Sequence, residues 1–325
     1  MQAAAQDFLS LARAPGGGGL GSLPPPAQLY TFTNVEPTLF VYNDPATDIE
    51  ALPAVAPNFG LKEDKSWADV IGEVRRLNEE EGEGGVVYKL VFVGRHGQGV
   101  HNVAEAKYGT QAWDTKWSFL NGDGELVWGP DPLLTKLGEQ QADDVNEEWR
   151  LRLHNPNDTS PASGRIPLPA KLYSSPFTRA LETAKRSYQG LGDQVPPQLI
   201  MEGLRETIGG HTCDMRSPTA IISQRFPPPE FELEPGFAPG DMLFSPITRE
   251  SDSELQIRLR ETLSRIFGPA SSKDVASAGD AQVIGITCHS GVMQALFNLT
   301  GHRFFTPKTG AVVPLVLKAV PAQSK

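Results

Sequence analysis

The chain has 325 residues, of which 39% are hydrophobic and 21% charged, enough to build a substantial core in one large domain or two small ones. Its 29 basic and 39 acidic residues give a net charge of −10, which argues against nucleic acid and anionic membranes as partners while leaving room for a locally positive pocket. No apolar run reaches the length of a transmembrane helix, and two cysteines, Cys213 and Cys288, in a chain this long point to a reducing compartment rather than a disulfide scaffold.

The opening residues lack a basic stretch leading into an apolar one, and Asp7 precedes Arg13, so the expected setting is the cytoplasm; the sequons at Asn157 and Asn298 then carry little weight. Residues 1–60 read as an extension, with a glycine run at 16–19 and a proline run at 24–26 forming a flexible and then stiff tether. Leu29, Tyr30, Phe32, Leu39, Phe40, Val41 and Tyr42 suggest that part of it packs on the core.

Residues 61–325 form the main domain. A helix is expected over 66–78, where Ser66 and Asp69 make an N-cap pair and Trp67, Val70, Ile71, Val74 and Leu77 share a face. The run 86–93 is almost wholly apolar and suits a strand buried on both sides. Helix (134–153), strand (171–174), helix (176–188) and strand (198–201) follow, then helix (253–267), strand (282–287), helix (292–299) and strand (311–320). This alternation predicts an α/β sandwich around a mostly parallel sheet. Two stretches break the rhythm, one rich in aromatics (99–131) and one rich in proline (207–250), and both are expected to be lids.

Ligands of a parallel sheet bind beyond the carboxyl ends of its strands. The first strand runs into Gly94-Arg95-His96-Gly97, the strand at 282–287 into His289-Ser290-Gly291, and the strand at 171–174 into Ser175-Pro-Phe-Thr-Arg179. Any one of these residues could be structural. Two histidines and two arginines at three strand ends instead describe a pocket for a tetrahedral dianion with a nitrogen nucleophile in its floor.

Arg95-His96-Gly97 after a strand, with Asn102 completing an RHGxxxxN pattern, resembles the signature of the histidine phosphatase superfamily, whose fold is phosphoglycerate-mutase-like. Leu134-Thr-Lys-Leu-Gly-Glu-Gln-Gln-Ala142, Ser175-Pro-Phe-Thr-Arg-Ala-Leu-Glu-Thr-Ala184 and Leu204-Arg-Glu206 are similar to its LTxxGxxQA, SPxxRAxxTA and LRE segments. Gly94 to Val103, Leu204 to Arg216 and the leader from Val41 to Leu61 are similar to a phosphomutase-like subgroup known from fungi and plants. The resemblance implies a three-layer α/β/α sandwich with lid insertions and a two-step phosphoryl transfer. In it His96 attacks phosphorus, Arg95, Arg179, His289 and Asn102 hold the equatorial oxygens, with Gly97 and Ser290 also at the substrate, and Glu206 protonates the leaving alkoxide and then activates water. The chemistry is consistent: a neutral imidazole nitrogen is a competent nucleophile near neutrality, guanidinium forks suit a transferring phosphoryl group, and one carboxylate can serve as acid and then base. No metal or cofactor is required.

The secreted phytase branch resembles RHGxRxP and His-Asp; here Gln98-Gly99 and His289-Ser290 stand instead, which favours Glu206 as the acid. Mutases resemble RHGxSxWN, and the Ser and Trp are missing from Gln98-Gly-Val-His-Asn102, which favours hydrolysis of a small phosphorylated metabolite over transfer. The rivals are a phosphomutase and a non-catalytic phospholigand-binding protein. His101 and His211 are candidates for substrate contact or structural hydrogen bonding. Arg216 is a candidate for a second anionic group of the substrate or for pairing with Asp214. A zinc set of His211, Cys213, Cys288 and His289 is disfavoured because no paired Cys-x-x-Cys supports it. The two cysteines are read as buried inert thiols or a regulatory disulfide. The oligomeric state stays open.

Overall fold

The run Leu90-Val-Phe-Val93 has no polar face to offer water, so its strand belongs inside a sheet covered on both sides. A computed structural model of the chain describes residues 26–153, 165–269 and 281–323. The glycine run at 16–19, Pro24, Pro25 and Asn157 lie outside the described residues. The strands are β1 (Tyr30–Val35), β2 (Val87–Arg95), β3 (Lys171–Ser174), β4 (Gln198–Ile200), β5 (Phe231–Leu233), β6 (Val283–Cys288) and β7 (Val312–Pro321). They form one sheet in the order β1-β7-β2-β6-β3-β4-β5. The neighbours from β2 through β6, β3 and β4 to β5 run parallel, while β7 runs antiparallel to both β1 and β2.

The helices are α1 (Trp67–Glu81), α2 (Val100–Tyr108), α3 (Thr110–Thr115), α4 (Lys136–Leu153), α5 (Thr178–Tyr188), α6 (Thr219–Arg225), α7 (Asp252–Phe267) and α8 (Ser290–Thr300). Alternation along β2 assigns them to layers. Phe92 packs against Trp67 of α1 and Trp149 of α4, and Trp149 also meets Tyr188 of α5. Lys89, three residues back and hence on the opposite face, reaches over Phe267 of α7. The result is a three-layer α/β/α sandwich, with a mostly parallel sheet between the two helical layers. Local chemistry starts the helices where expected. Ser66 and Asp69 cap each other across the first turn of α1, Ser251 and Glu254 do the same for α7, and the Thr135 hydroxyl accepts the Gly138 amide at the start of α4.

Five elements, in three stretches of the chain, were not legible in the periodicity. The extension supplies β1, which pairs with β7 and buries Tyr30 and Phe32, and further along it Phe40, Tyr42 and Phe59 join the main core. The proline-rich stretch is more than a surface excursion, because it contains α6 and then β5, the last strand of the sheet. The aromatic stretch folds into α2 and α3. Trp113 and Trp128 build a small core there with Ala104 and Cys213, while Trp117 stacks on Tyr108. Most of those aromatics are therefore spent on holding the segment together. Among the described residues no helix is long and apolar enough to cross a membrane.

Candidate active site

Register sets the floor of the site. Arg95 lies opposite Cys288, and Ser174 lies opposite both Thr287 and Ile200. The chain leaving each strand stays hydrogen-bonded to its neighbour for one more residue: His96 donates its amide to Cys288, Ser175 to Thr287, and Met201 to Ser174. His96, Ser175 and His289 thus emerge side by side, and the rings of His96 and His289 are 5.0 Å apart between centroids.

His96 is 2% exposed, and its Nδ1 is 2.7 Å from the Gly97 carbonyl. A carbonyl only accepts, so Nδ1 carries the proton and the Nε2 lone pair remains available. Burial first, and then the charges of Arg179 and Arg95, push the His96 pKa well below its ordinary value, so the ring is neutral at physiological pH. Gly97 donates its amide to the Thr183 hydroxyl of α5. Its backbone is so close to α4 that a side-chain carbon would lie 2.2 Å from the Gly138 carbonyl, and one on Gly138 would lie 2.1 Å from that of Gln98. Both positions need glycine for this approach.

Arg95 donates to the Pro307 carbonyl (2.6 Å) and leaves its buried Nε without a partner. Arg179, 1% exposed on the first turn of α5, donates to the Cys213 carbonyl (2.8 Å) and to Asp214 (3.0 Å), and its Nε is likewise buried and unpaired. Its guanidinium lies 4.5 Å from the centre of the Phe177 ring, whose other contacts include the edge-on ring of His289. His289 shares a 2.7 Å hydrogen bond between Nε2 and the Ser175 hydroxyl, and its Nδ1 is buried without a partner. Burial, followed by Arg179, lowers its pKa well below the ordinary value. Unpaired buried donors are costly, about 1–3 kcal/mol each, and two cationic ones beside two neutral imidazoles form an arrangement that can receive an anion.

Glu206 follows β4 and is half-buried. Its carboxylate accepts the Gly291 amide at the N-terminus of α8 (3.0 Å) and its neighbour's amide at Thr207 (3.0 Å). A helix N-terminus is a favourable seat for a carboxylate. A side-chain carbon on Gly291 would come within 2.1 Å of Glu206 Oε1, so glycine there is what admits the acid. Ser290, the first residue of α8, is adjacent.

Asn102 uses its side-chain oxygen to cap α2 through the Gly99 amide (2.9 Å), which leaves its amide group as the donor. The His101 ring is 5.4 Å from that of His96, with Nδ1 buried and unpaired, and burial lowers its pKa well below the ordinary value. His211 stands edge-on to Trp113 and Phe119, and burial brings its pKa down to about 4.

Arg216 requires a correction. It pairs with Glu202 (3.0 Å) rather than Asp214, and its remaining guanidinium nitrogens donate to the carbonyls of Ser217, Ala238 and Gly240. Every nitrogen is engaged within the protein and the residue is 2% exposed, so its guanidinium is tied into the scaffold. Asp214 instead serves Arg179 and Arg249. The four residues of the imagined zinc set do not converge. The one trio among the described residues with ligand atoms within 4.8 Å is His211, Cys213 and Asp214, and that carboxylate already holds two arginines. Cys213 and Cys288 are buried free thiols, raised in pKa by burial.

Four contributors escaped the sequence reading as site residues. Ser175, Thr183 and Gly291 all lie inside segments that carry the motifs. Asp131 does not: from the aromatic stretch it accepts both the amide and the hydroxyl of Thr178 (2.8 Å each) and so caps the helix that presents Arg179. Nothing local marks it.

Several known proteins are similar to this chain. The family model for the histidine phosphatase superfamily (branch 1) matches residues 91–304. A probable phosphoglycerate mutase of Arthroderma benhamiae is 36% identical over 301 residues, covering 87% of this chain and 83% of its own. Phosphomutase-like protein 3 of Candida albicans is 32% identical, covering 86% and 78%. Among solved structures, a putative alpha-ribazole-5'-P phosphatase from Escherichia coli aligns with 73% of this chain and 96% of its own at 16% identity, with a TM-score of 0.41. With His96, Arg95, Arg179 and His289 gathered at the strand ends and the matched segment spanning them all, the chain belongs to the histidine phosphatase superfamily, branch 1.

Proposed function

We propose that this protein is a phosphoric monoester hydrolase that releases phosphate from a small phosphorylated metabolite through a phosphohistidine on His96. The observation that carries this reading is the His96 ring itself. It is buried and neutral, with Nδ1 held on the Gly97 carbonyl and Nε2 free, beside two guanidinium groups whose Nε atoms have no protein partner.

In the first step the Nε2 lone pair forms the N–P bond as the bond from phosphorus to the leaving oxygen breaks, and the Glu206 carboxyl passes its proton to that oxygen. In the second, water attacks phosphorus, Glu206 takes its proton, the N–P bond breaks, and the electron pair returns to Nε2. Arg95, Arg179 and the Asn102 amide group hold the equatorial oxygens, with His289, Ser290 and the Gly97 backbone completing the wall. No step calls on a metal or cofactor. The two buried free thiols support a reducing, cytoplasmic setting, and the net charge of −10 favours a small-molecule partner over nucleic acid or a membrane.

The names of the fungal relatives favour a second reading, transfer between phosphoglycerates. Against it stands the first motif. Gln98 is turned to α4, its side-chain oxygen accepting from the Thr135 hydroxyl and its amide donating to Gln141, and Gly99 is given to the Asn102 cap. Neither the Ser nor the Trp of the mutase pattern is present to shield a phosphohistidine from water. The test is phosphate release from a panel of phosphomonoesters, with a chelator present, by wild type and His96→Ala. Release that needs His96 and ignores the chelator supports the hydrolase. Transfer to an added phosphoglycerate in place of release supports the mutase, and neither reaction from folded protein leaves only ligand binding.

A further inference from the structure

Glu206 lies in a bend two residues past a single 3-10 turn (Glu202–Leu204), outside any strand or α-helix, yet a general acid must be held to within a fraction of an ångström. What holds it lies behind it, on α7. Arg258 is 2% exposed and spends all its guanidinium nitrogens on this one place. Nη1 donates to the carbonyls of Gly203 and Arg205 (2.9 Å each), Nη2 to the carbonyl of Glu206 itself (3.2 Å), and Nε and Nη2 to the Glu250 carboxylate (2.7 and 2.6 Å). One helical turn on, Thr262 lies flat against the same loop, where a side-chain carbon on Gly203 would come within 2.0 Å of its hydroxyl.

Glu250 does more than neutralise the arginine. Its carboxylate accepts the Ile208 amide (3.1 Å) and its own amide donates to the Ile208 carbonyl (2.8 Å), so the last residue of the proline-rich stretch is fastened to its second. The two ends of that stretch close beside Glu206. Arg258 therefore joins the acid's backbone to the point where this stretch leaves and returns. The carboxylate end is held separately, by the Gly291 and Thr207 amides.

We propose that Arg258, with Glu250, is a positioning residue for Glu206: it fixes the backbone from which the acid reaches the leaving oxygen. This rests on the reading of Glu206 as the general acid. It predicts a signature in kcat/KM, which covers the steps up to departure of the leaving group, that a purely structural arginine lacks, because in those steps a misplaced acid matters only when the leaving group needs a proton.

The experiment compares 4-nitrophenyl phosphate, whose leaving group departs without help, with phenyl phosphate, of nearly the same shape and a poorer leaving group. Glu206→Gln is measured first. If it shows no larger loss on phenyl phosphate, the assignment of Glu206 fails, and the positioning role falls with it. If it does, Arg258→Met is expected to lose about tenfold to a hundredfold in kcat/KM on phenyl phosphate and less than about threefold in kcat/KM on the nitrophenyl ester. The double variant with Glu206→Gln should lose no more than Glu206→Gln alone. Equal losses on both esters, or additive losses in the double variant, overturn the proposal. Should Arg258→Met fail to fold, Glu250→Gln decides: it leaves the carbonyl contacts in place and should show a smaller loss confined to phenyl phosphate, and a uniform effect or none overturns the proposal.

Discussion

The floor at the ends of β2, β3 and β6 and the charged knot around residues 202–241 are both built from arginines with an unpaired buried Nε, Arg95 and Arg179 in the floor and Arg205 in the knot, and they differ in how fully carboxylates balance the charge. In the knot, Arg205 and Arg216 share Glu202, Asp241 takes two bonds from Arg205, and the remaining nitrogens of Arg216 find carbonyls. In the floor, Arg95 is bonded only to a carbonyl, Arg179 has one acidic partner, and the neighbouring rings of His96, His101 and His289 are neutral. Positive charge matched by carboxylates is scaffold. Positive charge left unmatched, at a cost in desolvation, is what the proposed function assigns to the phosphate.

The comparison can be broken most sharply at its nucleophile. His96→Ala should lower phosphate release at least about a thousandfold, since it removes the nitrogen on which the proposed phosphohistidine forms. Steady-state assays on 4-nitrophenyl phosphate check it, and residual activity near wild type would end the phosphohistidine reading. Next come the two arginines. Arg179→Met should cost about a hundredfold to a thousandfold in kcat, as for loss of one strong donor to a developing charge. Arg216→Met should instead stay within about threefold in kcat/KM and destabilise the fold by about 1–3 kcal/mol, because Glu202 keeps Arg205 while the carbonyls of Ser217, Ala238 and Gly240 lose a buried donor. Denaturant titration beside kinetics separates them, and a reversal of the two phenotypes would erase the distinction drawn here.

A subtler change acts at the acid's seat. Gly291→Ala puts a carbon where Glu206 Oε1 now lies and should cost about tenfold or more, chiefly on poor leaving groups. The gentlest probe is pH. His211 and His302 have pKa values brought down to about 4, and His96, His101 and His289 sit well below the ordinary 6.5, all through burial in the first place. The unfolded chain takes up protons that these rings refuse, so stability should be level above about pH 7 and fall as pH drops below about 6.5. Urea midpoints across that range test it, and a midpoint that rose on acidification would contradict the buried neutral rings.

Much of this was readable from local pattern. Apolar runs announced β2, β6 and β7, reciprocal caps announced α1, and the residues after three strands named His96, Arg179 and His289. Arg216 shows where such reading stops. Its segment resembles the family as well as its neighbours do, yet whether a guanidinium faces a ligand or a carboxylate depends on Glu202, fourteen residues away. Asp131 is the reverse case, since it caps the helix of Arg179 from the far side of a segment whose aromatics drew attention to themselves.

By itself the sequence determined the alternation of elements, the strand ends that bear the chemistry, and the family, because hydrophobic period and residue type act over a few positions. Tertiary structure alone decided which arginines are met by carboxylates, which tautomer His96 adopts, and how Arg258 grips the loop of Glu206. Those outcomes depend on burial and on partners brought together from distant parts of the chain, where desolvation makes each unmatched charge decisive.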